Sequence, residues 1–207
     1  FESILDLCST SMQQLRLRWH YRSRYEQLIA FSNRNFYDND LLTFPSAKSD
    51  SYGTGVDFHY VADGIFDRKS HANLKEAEYI VDLIYWNIEH HPARTLGAVA
   101  FSVAQQDLIE KLLLKRRQAM PAKDDFFNNN EKEPFFIKNL ETVQGDERDT
   151  IIFSIAYGKD AQGRLLHNFG PLNRAGGERR LNVAVTRAKC NIQVVSSMRY
   201  TDINLKR

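Results

Sequence analysis

The run Thr150-Ile151-Ile152-Phe153-Ser154-Ile155-Ala156-Tyr157 does most to limit what this chain can fold into. It is a continuous apolar run, the pattern of a buried parallel strand, and a polar stretch with one glycine, Glu141 to Asp149, feeds it. Leu96 to Phe101 is a second such run and predicts a central strand. Val56 to Val61 alternates, and Phe135-Phe136-Ile137 and Ile192 to Ser196 are shorter candidates. Between them lie segments with helical spacing. Asn73 to His90 carries Ala77, Ile80, Val81, Ile84 and Ile88 and is ended by Pro92. Ser102 and Gln105 fit a capping box that opens a helix with Leu108, Ile109, Leu112 and Leu113 on one side. Strands alternating with helices predict an α/β fold, a doubly wound, mostly parallel sheet with flanking helices. The 207 residues suit one domain over 1–207.

The N-terminal part is expected to follow the same scheme. Ser3 to Cys8 reads as the tail of a helix, and Gln14-Leu15-Arg16-Leu17-Arg18 alternates like a short strand. Ser23 with Glu26 forms a second capping-box pattern, predicting a helix to about Phe36 with Leu28, Ile29 and Phe31 inward. Arg22 then falls at a strand-to-helix junction, where ligands of parallel sheets gather. A salt bridge to Glu26 explains Arg22 equally well at this level. The stretches Tyr37 to Tyr52, Lys123 to Glu133 and Gly158 to Gly177 read as irregular connections.

Composition excludes little. A net charge of +2 neither demands nor rules out a nucleic-acid partner. Cys8 and Cys190 make no disulfide or metal pattern, which points to a reducing, cytoplasmic setting. The six histidines are scattered, and no metal site is expected. No apolar run approaches a membrane span, so no membrane partner is expected, and no signal peptide is visible. A start at Phe1 without methionine suggests a fragment of a longer chain.

Gly177 to Lys189 reads as one helix, with Leu181, Val185 and Ala188 as its apolar stripe. Arg180 and Arg187, seven residues apart, would share a side at the rim of that stripe, a placement that suits a positively charged cleft. Taken alone, a surface helix whose arginines pair with carboxylates accounts for the same residues. At Ser102 and Gln105 a helix start could take a nucleic-acid phosphate, although capping explains both residues fully.

Three stretches in order carry a resemblance: Trp19-His20-Tyr21-Arg22, Val143-Gln144-Gly145-Asp146-Glu147 and Arg179 to Ala188. There the chain resembles the second RecA-like motor domain of superfamily-one helicases, in the branch of the nonsense-mediated-decay helicase, at that family's motifs four, five and six. The resemblance implies a P-loop NTPase fold lacking its own P-loop, and the C-terminal half of an ATP-dependent helicase or translocase. It implies that Arg22 and Arg187 reach the γ-phosphate of ATP as arginine fingers, with Arg180 supporting that face. Tyr21 would lie against adenine and Glu147 would bind the ribose. Gln144 and Gly145 would join the nucleotide cleft to a track where Thr142, Ser102 and Gln105 hold phosphates of a single strand, with DNA favoured. The sequence holds no Gly-x-x-x-x-Gly-Lys-Ser/Thr loop and no Asp-Glu strand end for magnesium. ATP and Mg2+ would therefore be held mainly by a preceding RecA-like domain, and the isolated chain is expected to be inactive. The competing readings are a non-catalytic nucleic-acid- or protein-binding module on the same fold, and a metal-dependent nuclease built on Asp57, Glu76 and Glu78. The nuclease reading is disfavoured because no carboxylate pair is followed by a suitably placed lysine on a strand.

Overall fold

The apolar runs become the strands of one sheet in the computed structural model, which describes residues 4–15, 17–43, 45, 53–128, 132–165 and 167–203. The strands are β1 (Gly55–Tyr60), β2 (Leu96–Ala100), β3 (Phe136–Asn139), β4 (Arg148–Ser154) and β5 (Ala188–Ser196). Their order is β1-β5-β4-β2-β3, and every pairing is parallel. The helices are α1 (Ile4–Ser9), α2 (Gln27–Phe36), α3 (Leu74–His90), α4 (Val103–Ala119), α5 (Asp125–Asn128) and α6 (Gly177–Val185).

Because successive side chains on a strand point to opposite faces, β2 feeds two cores. Leu96, Ala98 and Ala100 pack with Ala77, Ile80 and Ile84 of α3 and Ile109 and Leu113 of α4. Val99, and Phe101 just beyond the strand, join Ile151, Phe153 and Ile192 with Leu28 of α2 and Ala184 of α6. The sheet is thus covered on both faces, which is why its central strands carry so little polar alternation. The connection from β3 to β4 passes over β2 and drives Val143, fully buried, into the second core. It leaves from the carboxyl end of β3 and arrives at the amino end of β4.

Several boundaries differ from the sequence expectation. The described residues of 14–18 form no strand; Trp19 instead makes an isolated parallel bridge to Leu42. The expected helix over 23–36 begins only at Gln27, because Ser23 is spent elsewhere: its hydroxyl donates to the Ala188 carbonyl. Phe31 is 46% exposed rather than inward. Lys123 to Glu133 includes the short helix α5, and the long connection after β4 holds a 3-10 turn at Gly170–Asn173. β4 and β5 both start earlier than their apolar runs, at Arg148 and Ala188, since parallel pairing continues into the polar flanks. The helix expected through Lys189 stops at Val185, with Thr186 as its C-cap. Ser3, Arg16 and 46–52 lie outside the described residues.

Candidate functional site

Two distant segments meet at the amino-terminal ends of β4 and β5. The backbone at Ser23 and Arg24 clips onto the start of β5: the Ser23 hydroxyl donates to Ala188 O at 3.1 Å, and Arg24 N donates to Lys189 O at 2.8 Å. His20 Nε2 accepts from Ser23 N at 3.1 Å and tightens the same turn. Arg22 and Arg187 are thereby brought to one residue. Arg22 Nη1 donates to Thr186 O at 3.4 Å, and Arg187 Nη2 donates to Thr186 Oγ1 at 3.0 Å. Arg187 Nε also donates to Val183 O at 2.8 Å, one of the carbonyls left open where α6 ends.

Like charges so close need compensation, and Glu147 supplies it. Its Oε2 accepts from Arg22 Nε at 2.6 Å, and its Oε1 lies 3.5 Å from Lys189 Nζ. Lys189 also pairs with Glu133. The Arg22 hydrogen bond, reinforced by the charges of Arg22 and Lys189, holds the Glu147 carboxyl below its ordinary range. Burial, with the Arg22 charge added, pulls the Arg187 guanidinium down from its ordinary value. Burial and both arginines likewise lower His20, consistent with an imidazole nitrogen that accepts a hydrogen bond. Two arginines and a lysine therefore face two carboxylates, Glu147 and Glu133, which leaves one positive charge in excess at this edge.

The other residues singled out from sequence fall in different places. Tyr21 stands 80% exposed beside the Arg22 guanidinium, which lies 5.8 Å from its ring centre. Gln144 and Gly145 are exposed on the connection that ends in Glu147, and Gly145 takes φ 92°, a conformation that favours glycine. Arg180 does not join the cluster. Because α6 ends before Arg187, the seven-residue spacing does not put the two arginines on one helix face. Arg180 instead donates to Ala175 O at 3.1 Å and lies 3.9 Å from Glu141. Arg22 is also not at the carboxyl edge of the sheet, as a strand-to-helix junction would have placed it. It sits at the amino edge because Ser23 and Arg24 are bonded to the start of β5.

At the opposite, carboxyl edge, Ser102 caps α4 by accepting from Gln105 N at 3.2 Å. Thr142, exposed, bonds Asn139 N through its hydroxyl, and Asn139 Nδ2 donates to Gln106 Oε1 at 2.9 Å, so the two loops are tied together. Gln105 is fully buried, and its amide is consumed by Asn73 and Ser154. It is unavailable to a phosphate, since the second half of the expected capping box turned inward. Glu76 is buried as well and Glu78 pairs with Lys75 on the surface; among the described residues no three His, Cys, Asp or Glu side chains gather as a metal site would need. Sequence reasoning missed Thr186, Glu133 and His20. Thr186 and His20 lay inside stretches already singled out, but Glu133, in a polar loop, gave no signal.

A cavity of about 560 Å³ opens near the same amino edge, lined by Arg94, Leu96, Lys123, Phe126, Glu133 and Phe135 among others. It meets the arginine cluster only through Glu133, so the arginines stand on an open wall and not inside a closed pocket.

A five-stranded parallel α/β domain with clustered arginines on one open edge defines the broad class. The family is shown directly. The model of the AAA_12 family, described as an AAA domain, matches residues 1–199, and the chain belongs to that family. It is similar to the uncharacterised ATP-dependent helicase MG140 of Mycoplasma genitalium, 40% identical over 191 residues, and to its Mycoplasma pneumoniae homologue, 37% identical over 193. Each alignment covers 91% of this chain but 16% of the relative, so the chain spans about a sixth of the curated relatives it matches. A solved C-terminal domain of a possible DNA helicase from Lactobacillus plantarum WCFS1 aligns over 85% of this chain and 86% of that one, with 15% identity and a TM-score of 0.47. Among the described residues, no helix is long and apolar enough to cross a membrane.

Proposed function

We propose that residues 1–207 are the second motor domain of an ATP-dependent helicase or translocase related to the nonsense-mediated-decay branch. The observation that carries this reading is the convergence of Arg22 and Arg187 on Thr186, backed by Glu147, on an uncovered edge. A preceding RecA-like domain of the same protein would hold ATP and Mg2+ against that edge. ATP supplies a phosphoryl group whose transfer gathers negative charge on its oxygens, and preorganised guanidinium groups stabilise such charge. Arg187 is the better placed of the two, since Val183 and Thr186 fix its Nε and one Nη while no carboxylate claims it at bonding distance among the described residues. Arg22 would exchange Glu147 for phosphate, leaving Glu147 to Lys189 or to a ribose hydroxyl. Tyr21, beside Arg22, offers a ring to the adenine. Arg180 acts at one remove, steadying α6 through Ala175 and Glu141.

The connection from Thr142 to Glu147 spans the sheet from one edge to the other. In this reading Gln144 and Gly145 report between the nucleotide wall and a single strand, DNA by preference, lying on Ser102 and Thr142. Gln105 supports that track from within. A cytoplasmic setting suits such a partner.

The test is Arg187→Ala in the full-length protein. Loss of an arginine finger is expected to lower kcat by about 10³-fold or more while ATP binding changes little. An unchanged kcat would refute the assignment and leave a binding module on the same fold.

A further inference from the structure

At the carboxyl edge a chain of buried polar side chains joins four elements. Glu76, in the first turn of α3, is fully buried. Its Oε1 accepts from Ser154 Oγ at 2.8 Å and from Ala156 N at 2.5 Å. Gln105 Nε2 of α4 donates to the same Ser154 hydroxyl at 3.1 Å, and Gln105 Oε1 accepts from Asn73 N at 2.8 Å. Asn73 caps α3 by accepting from Glu76 N, and its amide donates to Ser197 Oγ at 2.7 Å, just past β5. Nothing in the arginine wall uses this network.

Its position in the chain is informative. Ala156 begins the segment that runs through the long connection and α6 to Arg187 and β5; Ser197 ends it. The buried carboxylate and its helix-capping neighbour therefore grip both ends of the segment carrying the arginine wall. The same network reaches Ser102 through Gln105, at the start of α4. Ala156 takes φ 66°, a left-handed conformation unusual for alanine, and its N–H is held by Glu76. The strained exit from β4 is thus fixed by one buried acceptor.

We infer that Glu76 is a positioning residue that couples nucleic acid on the carboxyl edge to ATP turnover at the amino edge, by fixing the strand-end loops that lead to and from Arg187. The inference rests on the motor reading above. An ionised Glu76 binds its donors more strongly than a neutral one. Burial raises its carboxyl to about 7, against the hydrogen bonds from Ala156 and Ser154 and the nearby backbone N–H groups of Ser197 and Ile155, with no charged group among the causes. The groups facing it are neutral on every side: Asn73 from α3, Gln105 from α4, Ser154 to Ala156 after β4, and Ser197 after β5. Oε2 has no hydrogen-bond partner among the described residues, which leaves room for a proton there. Coupling should therefore strengthen as pH rises through about 7.

The experiment uses the full-length protein and measures the ratio of stimulated to basal ATP turnover, with oligo-dT and oligo-U as probes, from pH 6 to 8.5. The expected result is a ratio that rises several-fold with pH in the unmodified protein. In Glu76→Gln the ratio should be low and independent of pH, with basal turnover retained. Ser154→Ala, which removes one donor to the carboxylate, should move the midpoint to higher pH and keep the rise. A stimulated protein whose pH profile is the same in all three forms overturns the role of Glu76 and leaves the motor reading standing. No stimulation by either probe in the unmodified protein overturns the motor reading, and the inference with it.

Discussion

At the residue scale, the chemistry turns on which charges are compensated. The like charges of Arg22 and Arg187 are offset by Glu147, whose carboxylate is shared between Arg22 and Lys189. The Arg22–Glu147 pair is only partly exposed, and in the proposed function Glu147 holds Arg22 where an incoming anion can take it. Glu76 is the opposite case, a carboxyl whose burial opposes charge. Its folded value of about 7 stands above the reference of 4.5. The folded state thus binds the proton more tightly, and that contribution is complete below about 4.5 and lost as pH climbs through 7. In denaturant unfolding of the 207-residue chain, stability should fall between about pH 4.5 and 7 by on the order of 1 kcal/mol per pH unit, and level off above that. Glu76→Gln should show little of that slope. Equal slopes would mean that the carboxyl titrates in its ordinary range.

At the element scale, α6 is the lever that aims Arg187. It begins after Gly176 and rests on the 3-10 turn at Gly170–Asn173. Gly177 is packed so closely that a Cβ there would fall 2.2 Å from the Leu172 carbonyl oxygen, a backbone atom that cannot swing aside. Gly177→Ala should therefore push α6 off its support. The expected cost is about 1–3 kcal/mol, read as a lower denaturant midpoint. In the full-length protein kcat should fall as well, because the end of α6 sets the Arg187 geometry. A variant with unchanged midpoint and kcat would show that α6 does not transmit its position to Arg187.

At the scale of the whole molecule, the two edges of the sheet gather different chemistry. The amino edge gathers Arg22, Arg187, Glu147 and Lys189; the carboxyl edge gathers Ser102, Thr142 and the network around Glu76. Ligands of open parallel sheets commonly sit at the carboxyl edge, whereas in the proposed function the amino edge receives a phosphate brought by a neighbouring domain. Without a Gly-x-x-x-x-Gly-Lys-Ser/Thr loop in the sequence, the 207-residue chain alone should hydrolyse ATP no faster than a buffer blank. Turnover well above the blank that Arg187→Ala abolishes would contradict the division of labour proposed here.

The sequence by itself determined the architecture, because period and length are local properties. The apolar runs at Leu96 to Phe101 and Thr150 to Ser154 and the helical spacing of Ala77, Ile80 and Ile84 specify a covered parallel sheet wherever they occur. It also marked Arg22, Glu147 and Arg187 as members of three separate stretches. Their meeting depended on long-range contacts that no local pattern encodes: Ser23 bonding Ala188, Arg24 bonding Lys189, and both guanidiniums bonding Thr186. The same contacts took Ser23 away from its cap, and the end of α6 at Val185 separated Arg180 from Arg187. Gln105 shows the limit most clearly. Its place in a capping pattern was legible, but only the neighbouring Asn73 and Ser154 decided that its side chain would turn inward, since a buried amide must find its partners wherever the fold supplies them.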